Sequence, residues 1–185
     1  MSVTTTIGQL GLRVRLGRGE FADYHRLARY HYLGDRPATV HSVWRLTARP
    51  AGRPCSPLWR AGAYPTVAGV LVVSYPVLQA KARNVVTANR YCTRPGRREG
   101  FARLNREVLT ISRVVIHPLY RGLGLATRLV AGVLGRLESP LVEAFARMGS
   151  CVPFFARAGM SELALPDRPV YYYRFANDHL ARSEP

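Results

Sequence analysis

Apolar and polar side chains alternate over residues 11–16 (GLRVRL), the two-residue period of a half-buried strand. The period then lengthens. Phe21, Tyr24, Leu27, Ala28 and His31 recur at helical spacing across residues 20–32, which predicts a first strand leading into an amphipathic helix ended by Gly34 and Pro37. Residues 40–48 (VHSVWRLTA) and 66–75 (TVAGVLVVSY) are predicted as two further strands, joined by a Pro-, Gly- and Arg-rich loop over residues 49–65. Residues 76–106 carry no clear period. Within them NRYCTRPGRREG is basic and rich in turn residues, and the residues after it, FARLNREV (101–108), have the pattern of a helical turn. A stretch of that length inside a compact domain is usually functional.

The C-terminal half is easier to read. Val108–Ile116 (VLTISRVVI) is a β-branched run suited to a central strand; HPLYRG follows as a turn, and residues 123–137 have helical periodicity. After Pro140, LVEAFA reads as a short strand and VPFFARAGM as a short helix closed by Gly159. Val170–Phe175 (VYYYRF) is a last strand, followed by a tail over residues 177–185 that is expected to fray. No internal repeat is present. Mixed strands and helices around a central strand–turn–helix unit indicate an α/β or α+β protein, and 185 residues are expected to form one domain, residues 1–185.

Composition narrows the class. With 48% hydrophobic and 21% charged residues and a mean hydropathy of -0.06, the chain is neither disordered nor built for a membrane. Its longest strongly apolar run, residues 67–73, is far short of the ~20 residues that span a bilayer. The first residues lack an apolar signal core. Cys55, Cys92 and Cys151 form no CxxC pair, which excludes a complete disulfide framework and a Cys-built zinc site, so no metal is expected. A cytoplasmic location follows as the expectation.

Charge points to a partner. Twenty-seven Lys and Arg against eleven Asp and Glu leave +16, a field that draws polyanions. From Arg36 to Arg98 there is no Asp or Glu at all. All the cations but Lys81 are arginine, which suits bidentate phosphate contacts. Nucleic acid, DNA above all, is the expected partner; a solvated basic face with no dedicated partner is the alternative.

RGLGLA, Arg121 to Ala126, falls at the predicted N-terminus of a helix. Free backbone N–H groups and the helix dipole there favour a phosphate, and glycines let it approach the main chain. No GK[ST] follows, and the glycines are not spaced as GxGxxG, so neither a Walker A loop nor a dinucleotide fold is indicated.

SRVVIHPLYRGLGLATRLV resembles the acyl-CoA-binding signature of the GNAT N-acyltransferase superfamily, [Q/R]-x-x-G-x-[G/A], with Arg121, Gly124 and Ala126 at its three defining positions. VEAFARMGSCVPFFARAGM resembles the strand and helix that follow it in that family. The resemblance implies a central splayed, mostly antiparallel sheet flanked by helices, and acetyl-CoA or another acyl-CoA as cofactor. It implies that Val114, Val115 and Ile116 contact the pantetheine arm, and that Arg121, Gly122, Leu123, Gly124, Leu125, Ala126 and Thr127 hold the phosphates. The usual tyrosine acid is replaced by Phe155, which cannot give up a proton; Cys151 and Ser150 are nearby substitutes or small packing residues.

Glu143 interrupts an apolar segment, and a carboxyl buried beside a cleft suits a general base; an ion pair with one of the many arginines is the alternative. Glu107 is a second carboxylate, and His117 opens the turn. His31 and Tyr32, with Ser112, Arg113 and Glu143, also resemble a pattern of the Mom DNA-modification proteins of Mu-like phages, a divergent GNAT branch. That resemblance implies an acceptor pocket lined by His31 and Tyr32, with the Tyr32 ring available to stack on a base. Acylation of a small amine or a protein amine, and a degenerate nucleic-acid-binding module, remain the alternatives.

Overall fold

The period-two pattern of residues 11–16 belongs to a longer strand, and one more strand precedes it. In the computed structural model, which describes residues 3–7, 11–32, 36–51, 65–92, 98–149 and 151–176, the chain opens with β1 (Val3–Ile7), β2 (Leu12–Gly19), α1 (Phe21–Ala28), β3 (Ser42–Pro50) and β4 (Val67–Ser74). It continues through α2 (Lys81–Val86), α3 (Arg98–Glu107), β5 (Val108–Ile116), a 3-10 turn (Pro118–Tyr120), α4 (Leu125–Leu134) and β6 (Leu141–Ala146). It closes with α5 (Phe154–Arg157), β7 (Ser161–Leu163) and β8 (Val170–Phe175).

The strands form one mixed sheet in the order β1-β2-β3-β4-β5-β6-β8-β7. Every neighbouring pair is antiparallel except β5 and β6. β4 is buried along its whole length because helices cover both of its faces. On one face Leu16, Trp44, Leu46 and Leu71 pack against Leu125, Leu129 and Val133 of α4. Gly132 makes that approach close, since a Cβ there would meet Leu16 at 2.5 Å. On the other face Tyr24 and Leu27 of α1 pack with Val43, Val70, Val72 and Val115. A third cluster, Tyr91, Leu104, Val108 and Leu141, seats α3.

Several elements differ from the sequence expectation for identifiable reasons. β1 was not predicted, because its threonines carry no apolar alternation. α1 stops at Ala28 rather than Tyr32; the chain turns at Arg29 and Tyr30, and residues 31–32 leave the helix to reach the mouth of a cleft. The span 76–106, which has no clear period, supplies α2 and all but the last residue of α3. FARLNREV, whose pattern predicts a helical turn, provides most of α3, whose Leu104 packs with Val108 and Leu141, while α2 meets the sheet through Arg83 and Glu143. The loop over residues 52–64, the basic turn at 93–97 and the tail from 177 lie outside the described residues.

Candidate active site

β5 and β6 pair only from Val108–Ile111 against Leu141–Ala144, after which both strands run on without bonding each other. The separation opens a cleft of about 650 Å³. Its floor is residues 111–116 of β5; Phe145, Ala146 and the turn after them form one wall, with Phe154 and Phe155 of α5. Gly122, the start of α4 and residues 30–32 close the other side.

The glycines of the turn have a conformational reason to be there. Gly122 and Gly124 hold φ of +79° and +69°, the left-handed region where a Cβ is strained. A Cβ on either would meet nothing within 4 Å, so the main chain faces open space. Gly124 caps α4 without any side-chain bond, and the segment's first helical bond runs from Arg128 N–H to Gly124 O at 3.2 Å. The preceding amides therefore have no helical acceptor and are available to an anion, with the helix dipole behind them. Of the residues expected to hold cofactor, Val114, Val115, Ile116, Arg121, Gly122, Gly124, Leu125, Ala126 and Thr127 line the cleft; Leu123 is half-buried and does not. The Arg121 side chain turns back instead of outward: Nε donates to Ile116 O at 3.1 Å and Nη2 to Tyr30 O at 3.2 Å, tying the end of α1 to the turn.

At the inner end of the cleft the β4–β5 register shifts, because Val72 pairs with Arg113 and Val73 with Ile111. Ser112 is the extra residue of this bulge, a device that re-aims a side chain. Ser74 donates its single proton to the Thr39 carbonyl at 2.5 Å, which makes Ser112 the donor in the 2.7 Å contact between the two hydroxyls. Val72 O, at 3.2 Å, is a longer alternative acceptor for Ser112. Ser112 thus keeps its lone pairs for the cleft. Arg113 Nη1 donates to Ser112 O at 2.8 Å, and both residues line the cleft with His31 and Tyr32, whose rings stack at 4.6 Å. Tyr32 is 55% exposed, so one face of that stack meets solvent.

Glu143 is elsewhere. It is fully buried and outside the cleft lining, its carboxylate accepting from Arg83 Nε (2.9 Å) and Nη2 (3.0 Å), Thr110 (2.9 Å) and Tyr171 (2.9 Å). Burial and then the Glu143 charge push the Tyr171 phenol far up, keeping it a donor. Of the two sequence readings of Glu143, base or ion pair, the geometry is that of the ion pair. Sequence reasoning missed its partner because Arg83 sits in the span without periodicity.

Phe155 is 5% exposed, packed on Phe154 and Tyr172, and presents hydrocarbon to the cleft, where the sequence resemblance leads to the expectation of a hydroxyl. No Asp or Glu lines the cleft among the described residues. Cys151 is exposed and not part of the lining, and Ser150 lies outside the described residues. Glu107 is held by Arg90, Arg106 and Tyr91 away from the cleft. His117 accepts from Leu119 N–H at 3.3 Å and packs edge-on against Tyr30. Burial lowers its pKa, and the charges of Arg29 and Arg121 lower it further. Tyr30, Phe145, Arg147 and Phe154 are lining residues that no sequence signal marked, since the ends of strands and turns have no period.

A mixed sheet opened between one parallel pair, with a glycine turn and helix start at the opening, is the GNAT N-acetyltransferase fold. Structures that share it include NAA60 of Arabidopsis thaliana in complex with acetyl-CoA, 13% identical over 88% of this chain and 99% of that one, with a TM-score of 0.52. YhbS, a GNAT family N-acetyltransferase of Escherichia coli in complex with CoA, is 14% identical over 92% and 84% of the two chains, with a TM-score of 0.52. A GNAT family acetyltransferase of Listeria monocytogenes is 11% identical over 94% and 99%, with a TM-score of 0.50. No family model and no curated protein matches the sequence.

Proposed function

We propose that the protein is an acyl-CoA-dependent N-acyltransferase whose acceptor is an amine of a nucleic acid, in the manner of Mom-like modification of adenine in DNA. The observation that carries the enzyme class is the opening between β5 and β6, which connects free main-chain amides at Gly122 and Gly124 to His31, Tyr32 and Ser112 in one continuous cleft. When bound, the acyl-CoA supplies an activated thioester. The turn amides would hold its diphosphate, and the edge of β5 from Val114 to Ile116, which β6 leaves unpaired, would accompany the pantetheine arm.

The chain's own groups then act on the acceptor. Ser112, with its proton directed to Ser74, accepts an N–H of the amine and aims the nitrogen lone pair. His31 is the imidazole among the described lining residues and accepts the proton the amine loses as the amide bond forms. That proton finally resides on the departing thiol, so no charge is left over. Tyr32 presents an aromatic face on which a base stacks, and the deficit of acids keeps a phosphate backbone welcome.

Phe155 and the locked Glu143 favour a second reading, a GNAT module that binds nucleic acid without turnover. One experiment separates the two. Acetyl-CoA should raise the melting temperature of the wild-type chain, and nucleoside mass spectrometry of DNA incubated with protein and acetyl-CoA should reveal a heavier adenine. A thermal shift without any modified nucleoside supports the binding module; no shift at saturating acetyl-CoA removes the cofactor site.

A further inference from the structure

β2 and β3 send Leu12, Val14, Leu16, Leu46 and Ala48 into the α4 side of the sheet, so the alternate residues face the side that carries α1. Four of those residues, Arg13, Arg15, Arg45 and Arg49, are arginines, with Gly17, Val43 and Thr47 between them. The register sets Arg13 directly opposite Arg49 and Arg15 opposite Thr47, with Arg45 farther along the same face. Arg13, Arg15 and Arg49 are exposed, and no ion pair or hydrogen bond is made by their guanidinium groups among the described residues. The nearby acid, Asp23, is buried and already shared by Arg45 at 3.2 Å and Arg26 at 3.7 Å.

Like charges directly opposite one another destabilise a sheet. Threonine or glutamine would serve a merely solvated face without that repulsion, so the arrangement makes sense where a polyanion supplies the counter-charge. Arginine's planar fork fits phosphate oxygens bidentately. The face also leads somewhere. α1 starts beside Arg45 and exposes Arg26, and the turn after it exposes Arg29 and delivers residues 30–32 to the cleft mouth. Its eight residues cover about 12 Å, the rise of roughly three to four base-pair steps at ~3.4 Å each.

We propose that the α1-side face of β2 and β3 is a docking track for the phosphate backbone of nucleic acid, gripping the strand a few nucleotides from the residue presented to the cleft. The track rests on the nucleic-acid reading of the acceptor, and its failure is distinguishable from failure of that reading.

The test compares the full-length wild type with an Arg13→Gln/Arg15→Gln/Arg49→Gln variant, using fluorescence anisotropy on labelled duplex DNA across a salt series. Affinity should fall for all sequences alike, and the slope of log K against log salt should shrink by about one per arginine removed. The acetyl-CoA thermal shift should be unchanged. An Arg13→Lys/Arg15→Lys/Arg49→Lys variant should keep the salt slope, which controls for folding. Equal DNA affinity and slope in the wild type and the Gln variant overturn the track alone. A wild type that does not retain DNA overturns the nucleic-acid reading with it. Tight binding to phosphatidylserine vesicles but not DNA, lost in the Gln variant, also overturns the proposal by making the face a membrane-contact surface.

Discussion

At the scale of single residues, two side chains separate structure from chemistry. Glu143 and Arg83 are both fully buried, and Arg83 Nη1 already lacks a partner among the described residues. Removing the carboxylate would strand a guanidinium in the core. Glu143→Ala is expected to cost about 3–5 kcal/mol in urea unfolding, and an Arg83→Met/Glu143→Leu double variant should recover most of that. A base in the cleft would instead give a stable variant with lost turnover. Gly124 makes the opposite prediction. With φ of +69° and open space around its missing Cβ, Gly124→Val should cost about 1–2 kcal/mol of backbone strain and project into the cleft. The variant should stay folded by circular dichroism and lose the acetyl-CoA thermal shift. RGLGLA was legible because this backbone geometry demands glycine in the sequence itself. The Ser74–Ser112 pair was not, because 38 residues separate two hydroxyls that only a strand register brings to 2.7 Å.

At the scale of elements, α1 matters through where it starts and stops. Glu20 and Asp23 form a capping box at its N-terminus, Glu20 N–H donating to Asp23 Oδ2 at 3.0 Å, while Asp23 also receives Arg45. Asp23→Ala should therefore cost about 1–2 kcal/mol. By loosening the helix that carries residues 30–32, it should also weaken any ligand that contacts His31 and Tyr32, while acetyl-CoA held by the turn amides is retained. Isothermal titration with acetyl-CoA and with a deoxyadenosine oligonucleotide separates the two effects. The early end of α1 escaped the periodicity because His31 still falls at a helical position; what ends the helix is the turn tied by Arg121 to Tyr30 O, a contact across 91 residues. β5 and α4 were read nearly to their ends, since β-branched runs and helical apolar spacing are local signals.

For the molecule as a whole, pH and charge act together. His117 sits below the ordinary imidazole value of 6.5 because burial and two arginines disfavour its charged form. Desolvation pushes Glu107 up, but hydrogen bonds from Arg90, Arg106 and Tyr91 and the Arg90 charge outweigh it, so it ends below its ordinary 4.5. Each is a depressed pKa. The stability it contributes is complete above the unfolded value and declines as pH falls through it toward the folded value. Unfolding midpoints should thus decline first below about pH 6.5, and again below about pH 4.5. His117→Asn should remove the first decline and Glu107→Gln should reduce the second. High salt should shrink the second step and the part of the first that comes from Arg29 and Arg121, leaving the part that burial of His117 causes.

By itself the chain's sequence determined what depends on neighbours within a few residues: the strand–turn–helix unit around Arg121 to Ala126, the glycines that a left-handed turn requires, the apolar faces of α1 and α4, and a charge balance of +16. The tertiary structure alone decided what depends on residues far apart. It placed Glu143 against Arg83 rather than in the cleft, parted β5 from β6 beyond Ile111, and set Arg13 across from Arg49. The physical reason is that local backbone preference and periodicity are written in adjacent residues, whereas pairing register and burial arise only when strands distant in sequence share one sheet.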